Sequence, residues 1–144
     1  PDFKLNDPNG NTHNLSDYKG KYLLVYFYPK ALTSGCTTQS CAVSEAMEDL
    51  SSLACAAVGI SPDDQAKQKK FDDKYDLNFP LLSDEDHSVA EAFGVWGEKN
   101  MYGKKYFGII RSSFLVDPES KITAAWYKVQ PGDTVPKALD ALKG

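Results

Sequence analysis

The sequence predicts a single α/β domain: a mixed central sheet with helices on both faces. Three observations predict it. Two continuous apolar runs, YLLVYFY (22–28) and CAAVGIS (55–61), have the length and residue types of strands buried on both faces. Each is followed by a stretch of helical character, the strand–helix alternation of a parallel sheet. Near the end, SSFLVD (112–117) and KITAAWY (121–127) flank the turn Asp117-Pro118-Glu119-Ser120, which adds an antiparallel hairpin.

The elements follow in order. Residues 1–21 carry the turn Asp7-Pro8-Asn9-Gly10 between short polar–apolar alternations, a β-hairpin or extended arm. Pro29 ends the first buried strand. From Gly35 to about Leu53 the pattern turns helical, with Val43, Ala46, Met47, Leu50 and Leu53 on one stripe. After the second strand, Ser61-Pro62-Asp63-Asp64 predicts a helix start with Ser61 as N-cap, and a charged helix running to about Tyr75. PLLSD leads to another start, with Ser83 and Asp86 spaced like a capping box and Gly94 placed to end the helix. Val95 to Gly108, rich in Gly and aromatics, is expected to be a long loop. A last helix puts Val135, Ala138, Leu139 and Leu142 on one face. This is the outline of a thioredoxin-like fold with an N-terminal β-hairpin extension, spanning 1–144 as one domain.

Composition narrows the function. The 144 residues are 42% hydrophobic and 25% charged, which is ordinary for one globular core. The net charge of −4, with no basic block beyond short Lys pairs, gives no support to a nucleic-acid or membrane partner. No run approaches the roughly 18 apolar residues of a membrane span. Three cysteines are too few for a disulfide framework, and the odd number suits a reducing compartment. The cytoplasm is therefore expected, or an organelle if a leader has been removed. Cys55, His13 and His87 are isolated in sequence, so no metal site is expected. His13 and His87 also match no nucleophile–base pattern.

The chemistry points to YFYPKALTSGCTTQSC (26–41): a buried strand, a short loop, and Cys36 in the first turn of a helix. There the unpaired N–H groups and the positive end of the helix dipole favour a thiolate. The polar neighbours Thr33, Ser34, Gly35, Thr37 and Thr38 argue against an inert core cysteine. Thr33 offers a hydroxyl to the sulfur or to an incoming oxygen, and Pro29 fixes the backbone. The spacing Pro29-x-x-x-Thr33-x-x-Cys36 matches the peroxiredoxin signature P-x-x-x-T/S-x-x-C. With Cys41 and the later GIIRSSFLVD, the chain resembles the bacterioferritin comigratory protein/peroxiredoxin Q subfamily. It departs from that pattern at Ser34, usually Pro, and at Gln39, often Glu.

The resemblance implies a thiol peroxidase with Cys36 as peroxidatic cysteine, Pro29 and Thr33 as its motif partners, and Arg111 completing the site. Arg111 precedes a strand expected beside the one that delivers Cys36, where its guanidinium would stabilise the thiolate and polarise the peroxide. Cys41 is the expected resolving cysteine. In an intact helix its Cα lies about 8.6 Å from that of Cys36, beyond the roughly 7 Å reach of a disulfide. The helix must therefore unwind for the bond to form. A passive Cys41 stays open, with Cys55 as the fallback resolving residue. The segment Lys99–Lys104 resembles a loop found in some members of that subfamily, and two readings stay open: a border of the substrate opening or an ordinary surface loop.

The expected partners are a peroxide and a dithiol reductant, thioredoxin or a glutaredoxin-like protein. The expected oligomeric state is a monomer, with no metal, haem or flavin cofactor. The alternative is a thioredoxin-like redox sensor or disulfide oxidoreductase without peroxidase turnover, although Cys-x-x-Cys is absent.

Overall fold

β3 (Tyr22–Phe27) is the centre of the molecule because both of its faces are apolar. Leu24, Tyr26 and Tyr28 point into one hydrophobic core, Leu23, Val25 and Phe27 into another, as the two-residue period of a strand requires. The computed structural model of the protein describes residues 3–143.

β3 pairs in parallel with β4 (Cys55–Ser61), which pairs in parallel with β5 (Leu81–Ser83). On its other side β3 pairs antiparallel with β8 (Ser112–Val116), which continues to β9 (Ile122–Trp126). The N-terminal hairpin, β1 (Lys4–Asn6) and β2 (Thr12–Asn14), adds antiparallel to β5. Among the described residues these strands form one seven-stranded sheet in the order β2-β1-β5-β4-β3-β8-β9. The first core lies under α1 (Ser34–Glu45), α2 (Met47–Ser52), α3 (Gln65–Tyr75) and α5 (Thr134–Lys143). The second lies under α4 (Ser88–Ala92) and the N-terminal arm. The expected mixed sheet with helices on both faces is thus observed.

Several local expectations are corrected. Val95–Gly108 is not a loop but a second hairpin, β6 (Trp96–Met101) and β7 (Lys104–Ile109), which among the described residues forms a two-stranded sheet of its own. Its turn uses Tyr102 at φ 53 and Gly103 at φ 79, two left-handed residues in succession. Its strands are largely exposed, so no apolar alternation betrays them.

The helix starts also shift. Ser61 does not cap α3; Asp64 does, accepting from the Lys67 N–H at 2.8 Å. Ser83 does not cap α4 but ends β5. The Asp84 carboxylate takes the N–H groups of Val89 (3.2 Å) and Ala90 (2.9 Å). The helix predicted over Gly35–Leu53 bends at Ala46, where the backbone leaves α1 and re-enters α2.

Candidate active site

Because β3 is parallel to β4 and crosses over through α1, the β3–α1 connection emerges at the carboxyl end of the sheet. Cys36 is delivered there. Pro29 is half-buried and opens the connection; Leu32 then adopts a left-handed φ of 66. A non-glycine residue pays roughly 1–2 kcal/mol for that conformation, so the loop needs external restraint. Asp63 supplies some of it: its Oδ2 accepts from the Ala31 N–H at 2.7 Å and from the Ser61 hydroxyl at 2.8 Å. Thr33 is the N-cap residue of α1, but its hydroxyl donates to Lys30 O at 2.7 Å. The structure thus places the Thr33 donor within the loop rather than on the sulfur.

Cys36 is the third residue of α1 and is fully buried. Arg111 reaches it from the junction of β7 and β8. The register Phe27↔Ser112 sets that junction beside the end of β3. Nη2 of Arg111 lies 3.3 Å from Cys36 Sγ, and Nη1 donates to Gln39 Oε1 at 2.6 Å. The fork therefore holds the thiol and the next turn of the same helix together. Gly35 makes the approach possible, since a Cβ there would stand 3.0 Å from Arg111 Nη2. Gln39 is buried and in turn donates through Nε2 to Thr134 Oγ1, at the start of α5, at 2.9 Å. Behind the helix, the buried Tyr26 hydroxyl bonds Ser40 at 2.7 Å. Burial pushes that phenol well above its usual range, so it stays protonated.

Cys41 is half-buried in the second half of the same helix, and its thiol is free. Burial, and then the charge of Glu45, push its thiol up. α1 is continuous from Cys36 to Cys41, so the helical separation of about 8.6 Å stands. Cys55, the fallback, is elsewhere. It pairs with Tyr22 at the start of β3, whereas Cys36 follows the far end, about 17 Å along the sheet. Burial pushes the Cys55 thiol up to about 11, and its Sγ contacts Ala56 O at 3.2 Å.

Lys99 belongs to the stretch Lys99–Lys104, which forms the β6–β7 turn region rather than a loose loop. Its Nζ donates to Ile109 O at 2.8 Å, two residues before Arg111. Burial and the charge of Arg111 push this ammonium down, while the charge of Cys36 pulls it back. Tyr102, at the tip, is fully solvent-exposed.

Sequence reasoning alone does not reveal Asp63, Ser61 and Thr134. The first two look like a helix start, and Thr134 is a single polar residue with no motif around it.

Comparison with known proteins decides the family. The profile of the AhpC/TSA family matches residues 1–125. Peroxiredoxin Bcp of Bacillus subtilis (strain 168) is 48% identical over 143 residues, covering 99% of this chain and 91% of that protein. The chain belongs to the peroxiredoxin family. Peroxiredoxin Bcp of Escherichia coli (strain K12) is 52% identical over 122 residues, 85% of this chain and 78% of its own length. Among solved structures, the bacterioferritin comigratory protein of Xanthomonas campestris superposes on this peroxiredoxin with a TM-score of 0.92 at 36% identity. It covers 98% of this chain and 90% of its own, and was solved as trapped intermediate and ligand complexes bearing on its alkyl peroxide reduction. Enterococcus faecalis AhpC shares the fold at a TM-score of 0.79 and 23% identity. This peroxiredoxin is therefore a thiol peroxidase, and the redox-sensor and disulfide-oxidoreductase alternatives lose their support.

Proposed function

We propose that this peroxiredoxin reduces hydrogen peroxide and alkyl hydroperoxides with Cys36 as the attacking sulfur and Cys41 as the resolving one. The observation that carries the reading is the Arg111 fork, 3.3 Å from Cys36 Sγ and anchored by Gln39. The Cys36 thiolate attacks the terminal peroxide oxygen: an S–O bond forms, the O–O bond breaks, and the departing oxide takes a proton as water or alcohol. Arg111 stabilises the anion before attack and the charge that develops on the leaving oxygen. Pro29 and Thr33 shape the loop that presents the sulfur.

The sulfenic acid is then attacked by the Cys41 thiolate: the S–S bond forms, the S–O bond breaks, and the departing hydroxide takes a proton as water. The intact α1 holds these sulfurs too far apart, so this step includes unwinding between residues 36 and 41. Thioredoxin or a glutaredoxin-like dithiol then restores both thiols by exchange. Every redox equivalent is carried by sulfur. The protein acts as a monomer in this reading, and its dependence on a dithiol suits the reducing cytoplasm.

The test is peroxide consumption coupled to thioredoxin, thioredoxin reductase and NADPH, with disulfide mapping after one equivalent of peroxide. Wild type is expected to turn over and to yield a Cys36–Cys41 bond, and Cys36→Ser to be inert. Turnover by Cys36→Ser would sink the assignment of the attacking sulfur.

A further inference from the structure

We infer that Thr134, at the start of α5, is a positioning residue of the peroxidase site: through Gln39 it keeps α1 wound while peroxide reacts, and its release sets how readily the site opens. The inference rests on the Cys36–Cys41 reading above and concerns what controls that step.

Gln39 lies between the two cysteines, in the part of α1 that must unwind for their sulfurs to meet. Its side chain is buried and faces two distant elements at once. Oε1 accepts from Arg111 Nη1 at 2.6 Å, and Nε2 donates to Thr134 Oγ1 at 2.9 Å. Thr134 is itself fully buried. One amide therefore joins the helix bearing the thiol, the arginine that polarises it and the first residue of the last helix.

Unwinding residues 36–41 carries Gln39 away and breaks both bonds. The groups left behind are a half-buried guanidinium and a buried hydroxyl, whose partners water replaces only once the site has opened. The bridge thus favours the wound state. That state is also the one in which Arg111 is aligned on the sulfur. Two consequences of opposite sign follow from one hydrogen bond. With the bridge intact, peroxide attack is fast and resolution is slow. With it broken, Arg111 loses its anchor and attack slows, while α1 opens more readily and resolution quickens.

The geometry also explains why the contact lies on α5 rather than within α1. A latch contained in the unwinding segment would move with it, whereas α5 is a separate element anchored in the first core through Ala138. The cleft between the two helices is lined by residues that include Ala42, Glu45, Val135 and Leu139, while the Gln39 amide bonds Thr134 and Arg111.

The test uses Thr134→Val, which keeps the shape and removes the acceptor, and Thr134→Ser, which keeps the hydroxyl. Rapid mixing of the reduced protein with hydrogen peroxide gives the rate of attack from the first phase and of disulfide formation from the second. Mass spectrometry gives the peroxide concentration that drives half of Cys36 to the sulfinic state. One net hydrogen bond predicts, for Thr134→Val, attack slowed and resolution accelerated, each by about two- to tenfold. The concentration for overoxidation should rise, and Thr134→Ser should restore wild-type values. Amide hydrogen exchange over residues 36–41 should quicken in reduced Thr134→Val while the β3 amides stay unchanged.

A merely structural role would lower thermal stability and leave the two rates unchanged or slow both. Resolution that is unchanged or slower in a folded Thr134→Val protein overturns the inference. If wild type lacks the Cys36–Cys41 disulfide on mapping, the functional reading itself fails. If it has the bond and the two rates do not diverge, only the role of Thr134 fails.

Discussion

Replacing Arg111 by Met keeps much of the side-chain length and removes the charge and the forked donors, which isolates what the guanidinium does for Cys36. At 3.3 Å two unit charges attract by about 5 kcal/mol at an effective dielectric near 20. Arg111 is half-buried, so solvent screens part of this, leaving about the 1.5–3 kcal/mol of one charge-assisted hydrogen bond. Removing it should lower the second-order rate of the reduced protein with hydrogen peroxide by roughly 10- to 150-fold. Arg111→Lys should fall between. Its ammonium keeps the charge but lacks the two separated, coplanar nitrogens that reach Cys36 Sγ and Gln39 Oε1. Rapid-mixing fluorescence, with Trp96 and Trp126 as intrinsic reporters, measures the rate directly. An Arg111→Met rate within threefold of wild type would refute the electrostatic argument.

Cys41→Ser should consume one peroxide per chain and then stall, detected as a dimedone-reactive Cys36 with no intramolecular disulfide. Gly35→Ala should separate stability from activity. In the first turn of α1 alanine should change stability little, while its Cβ, 3.0 Å from Arg111 Nη2, makes the fork give by a few tenths of an ångström and should slow attack. Thermal melts and the same rapid-mixing experiment check the two halves. Asp63→Ala should leave the buried Ala31 N–H unpaired and lower stability by about 1–3 kcal/mol, measured by urea unfolding. Asp7 gives a pH signature. Burial pushes its carboxyl up, but the His13 hydrogen bond and the N–H groups of Asn11 and Asn9 outweigh this and hold it below its usual value. The resulting stability is present above the unfolded value of about 3.9 and is lost as pH falls through the lower native one. Asp7→Asn should flatten that part of an acid-unfolding curve.

Strand and helix identity in the sheet was legible because β3 and β4 are buried on both faces and read as unbroken apolar runs. The β6–β7 hairpin was not. Phe107 and Tyr106 lie on its outside, and its turn carries Tyr-Gly where Asn-Gly would have signalled it. Helix starts were misplaced for a related reason. Ser61 and Asp63 have the composition of a cap, but Asp63 Oδ2 accepts from Ala31 in the Cys36 loop, 32 residues away in sequence, and the Ser61 hydroxyl donates to that same oxygen. At the site, Cys36 stands out from its motif and its helix start, whereas Arg111 stands out only through the family resemblance, since its place before a strand fits a surface arginine equally well. Thr134 was invisible, because its only distinction is a hydrogen bond spanning 95 residues.

The complete burial of Cys36 bears on what its own oxidation does to the protein. The sulfur shares one close-packed cluster with Leu24, Tyr26, Ala31 and Val43. In the proposed reaction each turnover adds an oxygen atom to that sulfur, and interiors packed to crystal density accept extra atoms only with strain, typically about 1–3 kcal/mol. The added atom should therefore strain the packing that holds the reduced residue. Product volume should then favour the unwound form, so that the first chemical step helps to prepare the second.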